Sequence, residues 1–226
     1  LANDAAVRAR RRRNADSDLI ANLRQTMREN LAGRREAGHN VILPTLALKA
    51  MRDAPDAITP SRVAGICSMV RLFKRTDVTW DDSDPVDLPD DNSDLARFVL
   101  GEFVDCSERF VGTGQGWTGH LLTYAAAALI DLCELGHTDT AFAARPAFET
   151  YIRRIRTGPL DTDNQRPEHP SSDLFPTDRE YWEQQTGRDW NFGHVTKYPY
   201  GFYRLLSLVE DSSLKQRCLE VAYRIF

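Results

Sequence analysis

Three segments of this chain open on the same dipeptide and continue in the same way, and this recurrence constrains the fold more than any other feature. They are GHNVILPTLALKAMRDAPDAITPSRVAGICSMVRLF (38–73), GHLLTYAAAALIDLCELGHTDTAFAARPAFETYIRRI (119–155) and GHVTKYPYGFYRLLSLVEDSSLKQRCLEVAYRIF (193–226), of 36, 37 and 34 residues. Each reads as Gly-His, an apolar helix, a turn, and a second helix whose tail sets an Arg among apolar residues. Pro44 and Pro199 fall five residues after their histidine, and Tyr124 and Tyr198 fall four after theirs. A proline there removes a backbone donor, so the regular helix of the outer copies is expected to start or kink at it. One helical hairpin cannot bury its apolar face alone; stacked or ring-arranged hairpins cover one another.

Apolar residues elsewhere also recur at three- and four-residue spacing, and strict alternation is scarce, so the fold class is all-α. Helices are expected from a cap at Asp16 or Ser17 through Leu19, Leu23, Met27 and Leu31 to near Gly38, then over 41–53. Another opens at Thr59 as cap with Pro60 at the first helical position, and carries Val63, Ile66, Val70 and Phe73 on one face. Further helices are expected over 94–110, 118–135, 138–156, 178–186, 196–209 and 212–225. The domain reading is a basic arm over 1–15 and one all-α domain over 16–226, with long loops at 76–92 and 157–177. Repeated helical hairpins build either an α/α-toroid or an α-solenoid. A solenoid expects near-constant spacing, and the unit starts here are 81 and 74 residues apart, which favours the toroid.

Charge narrows the partners. Residues 1–37 hold nine Arg against five Asp or Glu, a net of +4, so −8 falls on the rest of a chain whose total is −4. The cluster at Arg8 and Arg10 to Arg13 reads as an exposed arm or helix face. No aromatic residues interleave with it as a single-strand binder would want, so nucleic acid is not an expected partner. No apolar run reaches the length of a membrane span, and no basic start leads into a short apolar segment, so a cytoplasmic protein is expected. The chain opens on Leu1 and stops inside the apolar pattern CLEVAYRIF, and both ends are read as open. Cys67, Cys106, Cys133 and Cys218 stand far apart with no CxxC pair, which suits reduced core cysteines better than zinc or disulfides.

Histidine carries the functional signal. His39, His120, His137 and His194 each follow a glycine, which can take positive φ and deliver the next side chain at a helix entrance. The helix dipole there disfavours the imidazolium, leaving a neutral ring able to accept a proton or bind a metal. Tyr124 and Tyr198 lie one turn beyond His120 and His194, and Lys197 adds a donor beside His194. A single histidine at a helix start is more often a cap or half-buried core residue. Equivalent ends of ring-packed hairpins, however, point to one mouth, where His39, His120 and His194 would share a cavity. His137 sits in the turn at the other end of its hairpin, and His169 in a loop.

Aromatic residues cluster nearby: eight of the chain's 21 fall within 181–203. Trp117, Trp190, Phe192 and Tyr200 are the expected substrate contacts, by stacking on a sugar ring or a flat apolar ligand. An aromatic core under the last hairpin is the plainer account. DDNSD (Asp90, Asp91, Asp94) matches a magnesium-diphosphate motif, but Pro85 and Pro89 precede it, Ser93 looks like a cap and no second motif follows. DTDN at 161–164 starts like a calcium loop and lacks the later ligands.

The Gly-His followed by an apolar-aromatic helix, best in FGHVTKYPYGFYRLL, resembles the hairpins of α/α-toroid enzymes such as the sugar 2-epimerase and isomerase superfamily. The resemblance covers the three short segments and implies acid–base work by His39, His120 and His194. The leading expectation is an enzyme using histidine and tyrosine for proton transfer on a small hydroxylated or carbonyl substrate, carbohydrate-like or aromatic. The second is a three-histidine metal site on the same residues. The third is a non-catalytic helical-repeat protein binding a partner through its concave face. The sequence names no cofactor, and a homo-oligomer is compatible with it.

Overall fold

The computed structural model describes residues 2–31, 35–75, 86–114, 116–165, 172–186 and 193–225, with side chains from Asp16 onward. Trp190, Phe192 and His169 lie outside the described residues, as do the side chains of Arg8 and Arg10 to Arg13. Helices make up the regular structure, and among the described residues there are no strands, only two isolated bridges. The chain is all-α. It divides into two compact units, residues 1–77 with 131–144, and residues 78–130 with 145–226.

The first unit is built on α1 (Ala2–Glu29), α2 (His39–Asp53) and α3 (Pro60–Leu72). Helix α1 does not start at Asp16 or Ser17: its backbone is already helical from Ala2, and it ends at Glu29, well before Gly38. Leu23, Met27, Val41, Ile42, Leu48, Val63, Cys67 and Val70 close the core, with Phe73 beneath the end of α3. Cys67 takes the core position expected of Ile66, because the buried stripe runs 63–67–70. The start of α3 follows the expected chemistry: the Thr59 hydroxyl accepts from the Arg62 N–H, and Pro60 needs no donor. Polar ties join the helices, from the Arg71 guanidinium to Thr26 Oγ1 at 2.9 Å and from Asn40 Nδ2 to the Asn30 carbonyl at 2.8 Å. Gly38, at φ 95°, lets the chain enter α2 with His39 as its first residue, and the helix runs through Pro44.

The second unit opens with α4 (Asn92–Ser107) and α5 (Gly116–Tyr124). Helix α5 widens into a π-helical stretch, Ala125–Asp131; the short α6 (Leu132–Glu134) and the start of α7 (Thr138–Arg156), as far as Ala144, count with the first unit, and α7 from Arg145 onward with the second. Helices α8 (Arg179–Gln184), α9 (His194–Leu206) and α10 (Ser212–Val221) complete the second unit. Asp91, not Ser93, caps α4: its carboxylate accepts from the Ser93 and Asp94 N–H groups. Asp90 pairs with Arg145 and Asp94 with Arg97, so the DDNSD acids serve the start of α4. Helix α9 packs chiefly on α5, and α10 on α4. Gly119 and Gly201 set the α5–α9 spacing. A Cβ on Gly201 would lie 2.8 Å from the Thr123 Cα, and one on Gly119 2.6 Å from the Tyr198 ring. The two helices therefore meet almost backbone to backbone, stitched by Thr123 Oγ1, which donates to the Gly119 carbonyl and, at 3.4 Å, to the Lys197 carbonyl. The four cysteines form no disulfide with one another, and burial pushes the Cys106 and Cys218 thiols up to about 12. No helix among the described residues is long and apolar enough to cross a membrane.

Candidate functional site

The close approach of α5 and α9 brings four of the expected side chains together. His194 opens α9 directly after Gly193, whose φ of 71° places it in the left-handed region. Lys197 and Tyr198 lie one turn on, so all three project toward α5. From α5 comes His120. Its Nε2 stands 3.2 Å from His194 Nε2 and 3.3 Å from Lys197 Nζ, and its Nδ1 is 2.9 Å from the Tyr198 hydroxyl. The two imidazoles meet edge to face, with centroids 4.9 Å apart at 84°.

His120 arrives by a different route from the one its sequence suggests. Gly119 does not form the expected left-handed turn; it lies inside α5, and its missing side chain makes room for the Tyr198 ring. The turn is made earlier, where Gly112 and Gly114 hold φ of 76° and 70°. That turn is fastened from 46 residues away: Trp117 Nε1 donates to Asp163 Oδ1 at 2.9 Å, and the Gly114 N–H to the Asn164 carbonyl. Asp163 also receives the buried Arg154, whose guanidinium stacks 4.6 Å from the centre of the Trp117 ring. Tyr151 donates to the Trp117 carbonyl at 2.7 Å.

Hydrogen bonding fixes the His120 tautomer. Nδ1 lies 2.6 Å from the Gly116 carbonyl, which only accepts, so Nδ1 carries the proton of the neutral ring. The Tyr198 hydroxyl can donate to that carbonyl, at 3.3 Å, while its oxygen faces Nδ1. Nε2 is then an acceptor lone pair aimed at His194 and Lys197. Lys197 is 3% exposed, and burial lowers its ammonium to about 7. An acceptor nitrogen, a second imidazole and an amine in easy exchange with its neutral form thus share one small volume. Such a group can move protons, and the two facing Nε2 atoms can hold a metal.

The remaining expected residues are placed as follows. His39 belongs to the first unit, buried at the head of α2 with its ring centroid 5.8 Å from that of Phe73. Tyr124 is buried in the core of the second unit, stacked on Phe148 at 5.5 Å. Trp117 braces the turn before His120. Tyr200 lies on the other side of α9 from His194, in a groove of about 550 Å³ with Trp182, Pro199, Tyr203 and Arg204. Of the residues the sequence did not point to, the Gly116 carbonyl and Asp163 matter most. Arg154 had a signal, the arginine in the apolar tail YIRRI, and Asp163 stood in the failed calcium pattern DTDN.

Comparison with protein-family models, with curated proteins and with solved structures finds no match to this chain.

Proposed function

We propose that the second unit is an acid–base catalyst acting on a small hydroxylated or carbonyl compound, with its chemistry at His120, His194, Lys197 and Tyr198. The observation that carries this reading is the locked tautomer of His120. The Gly116 carbonyl holds its Nδ1–H, so Nε2 is presented as a base, 3.2 Å from a second imidazole and 3.3 Å from an amine that can return a proton. His120 takes a proton from substrate, Tyr198 steadies the resulting imidazolium from the Nδ1 side, and His194 or Lys197 protonates the developing oxyanion or carbon. The likeness of FGHVTKYPYGFYRLL to the hairpins of α/α-toroid enzymes supports the same chemistry. It also favours a carbohydrate-like substrate and a ring-like arrangement of hairpins.

The test follows proton transfer directly, whatever the product. Protein in deuterium oxide is incubated with a panel of aldoses, ketoses and aromatic hydroxyketones, and deuterium entry beside each carbonyl is followed by NMR. At least one compound is expected to exchange, with the rate lost in His120→Gln and strongly reduced in Lys197→Met. Exchange that persists unchanged in both variants, or no exchange across the panel, overturns the proposal.

A further inference from the structure

Two histidines from different helices that face one another nitrogen to nitrogen pose a physical question. If both rings are neutral, the His120 Nε2 lone pair needs a proton from His194 or Lys197, or a cation between the rings. Metal–nitrogen bonds of about 2.0–2.1 Å, at angles from square to tetrahedral, separate two ligand nitrogens by roughly 2.8–3.4 Å. The observed Nε2 to Nε2 distance is 3.2 Å. The outer contacts fit as well. A metal-bound imidazole donates its other N–H to a carbonyl, which fixes the tautomer and raises the basicity of the ligand. His120 Nδ1 does this to the Gly116 carbonyl at 2.6 Å, with the Tyr198 hydroxyl as a second partner. His194 sits at the N-terminal end of a 13-residue helix, where the dipole favours the neutral ring a metal requires. The close packing at Gly119 and Gly201 holds the two ligand-bearing helices together.

We infer that the facing Nε2 atoms of His120 and His194 form an open two-imidazole site for a divalent transition metal of the zinc, iron, cobalt or nickel type. The inference rests on the reading of this pair as the functional centre and adds its cofactor class. Imidazole nitrogens suit these ions, and an ion held by two of them has further coordination positions that water or a substrate oxygen would fill. A metal there would polarise a bound hydroxyl or carbonyl, which is the same substrate class as above. Lys197 competes for the site, since its Nζ bonds to the lone pair the metal would take.

The experiment is a titration of metal-free protein with zinc(II) by calorimetry and with cobalt(II) by visible absorption, alongside NMR of the ¹⁵N-labelled imidazoles. One equivalent is expected to bind, with the Nε2 and not the Nδ1 resonances of His120 and His194 shifting. Affinity is expected to fall roughly 10-fold or more in His194→Asn and to rise in Lys197→Met. The wild-type NMR arm decides the matter even where a variant fails to fold. Absence of binding, or shifts confined to other histidines, overturns the metal site. Deuterium exchange that is undiminished after chelation leaves the acid–base reading standing while removing the metal from it, so the two proposals fail separately.

Discussion

Replacing three helical glycines of the second unit by alanine tests how α5 and α9 are held. Gly101, in α4, has nothing within 4 Å of the position a Cβ would take, so Gly101→Ala should only gain helix propensity, about 0.5–1 kcal/mol. Gly119→Ala brings the same gain but sets a methyl 2.6 Å from the Tyr198 ring. The ring can turn aside, at a cost of about 1–2 kcal/mol, and its hydroxyl then leaves His120 Nδ1. Gly201→Ala sets the methyl 2.8 Å from the Thr123 Cα and N, which cannot rotate away. The helices must part, and the net loss should exceed about 2 kcal/mol. Between Gly101→Ala and Gly201→Ala this makes a spread of roughly 3 kcal/mol, or about 6–12 °C in Tm. Thermal unfolding followed by circular dichroism reads the order. The ¹⁵N spectrum of His120 should change more in Gly119→Ala than in Gly101→Ala. If Gly201→Ala unfolds with Gly101→Ala, the close helix contact is absent and the reasoning about the site falls with it.

Other outcomes follow from single contacts. Asp163 is pushed up by burial, but the Leu160 N–H, Trp117 Nε1 and Arg154 together outweigh this and hold its carboxyl below the usual range. Its contribution to stability is therefore complete above the unfolded value of about 3.9 and lost as pH falls through the lower folded value. Asp163→Asn, which strands the buried Arg154, should cost about 3 kcal/mol at neutral pH. Denaturant unfolding should show that gap closing under acid, and a gap independent of pH contradicts the assignment. Asp91→Ala should cost about 1 kcal/mol through the start of α4, while Ser93→Ala costs less; equal losses by denaturant unfolding would move the cap.

Helical periodicity, Thr59-Pro60 and the α7 span were legible because they depend on neighbours a few residues apart. So was the grouping of His194, Lys197 and Tyr198, which is fixed by one turn of helix. The role of Gly119 was not, since its reason lies in a ring 79 residues away and not in its own φ. Asp163 looked like a broken cation loop because sequence shows an acid but not the arginine and tryptophan that it serves. Ser93 lost the cap to Asp91 because both are good capping residues and only backbone geometry separates them.

The clasp of Trp117, Arg154 and Asp163 also bears on the order of folding. It joins positions 46 residues apart, so its loop must close before the segment ahead of α5 gains its shape. Local helices can form first, while the turn that presents His120 waits for the late meeting of Trp117 with the already local pair of Arg154 and Asp163. Trp117, packed against a guanidinium, is a built-in fluorophore for that step. In refolding, its emission should recover after the bulk of the helical circular dichroism. Simultaneous recovery of the two signals would mean that the candidate site assembles with the first helices, not upon them.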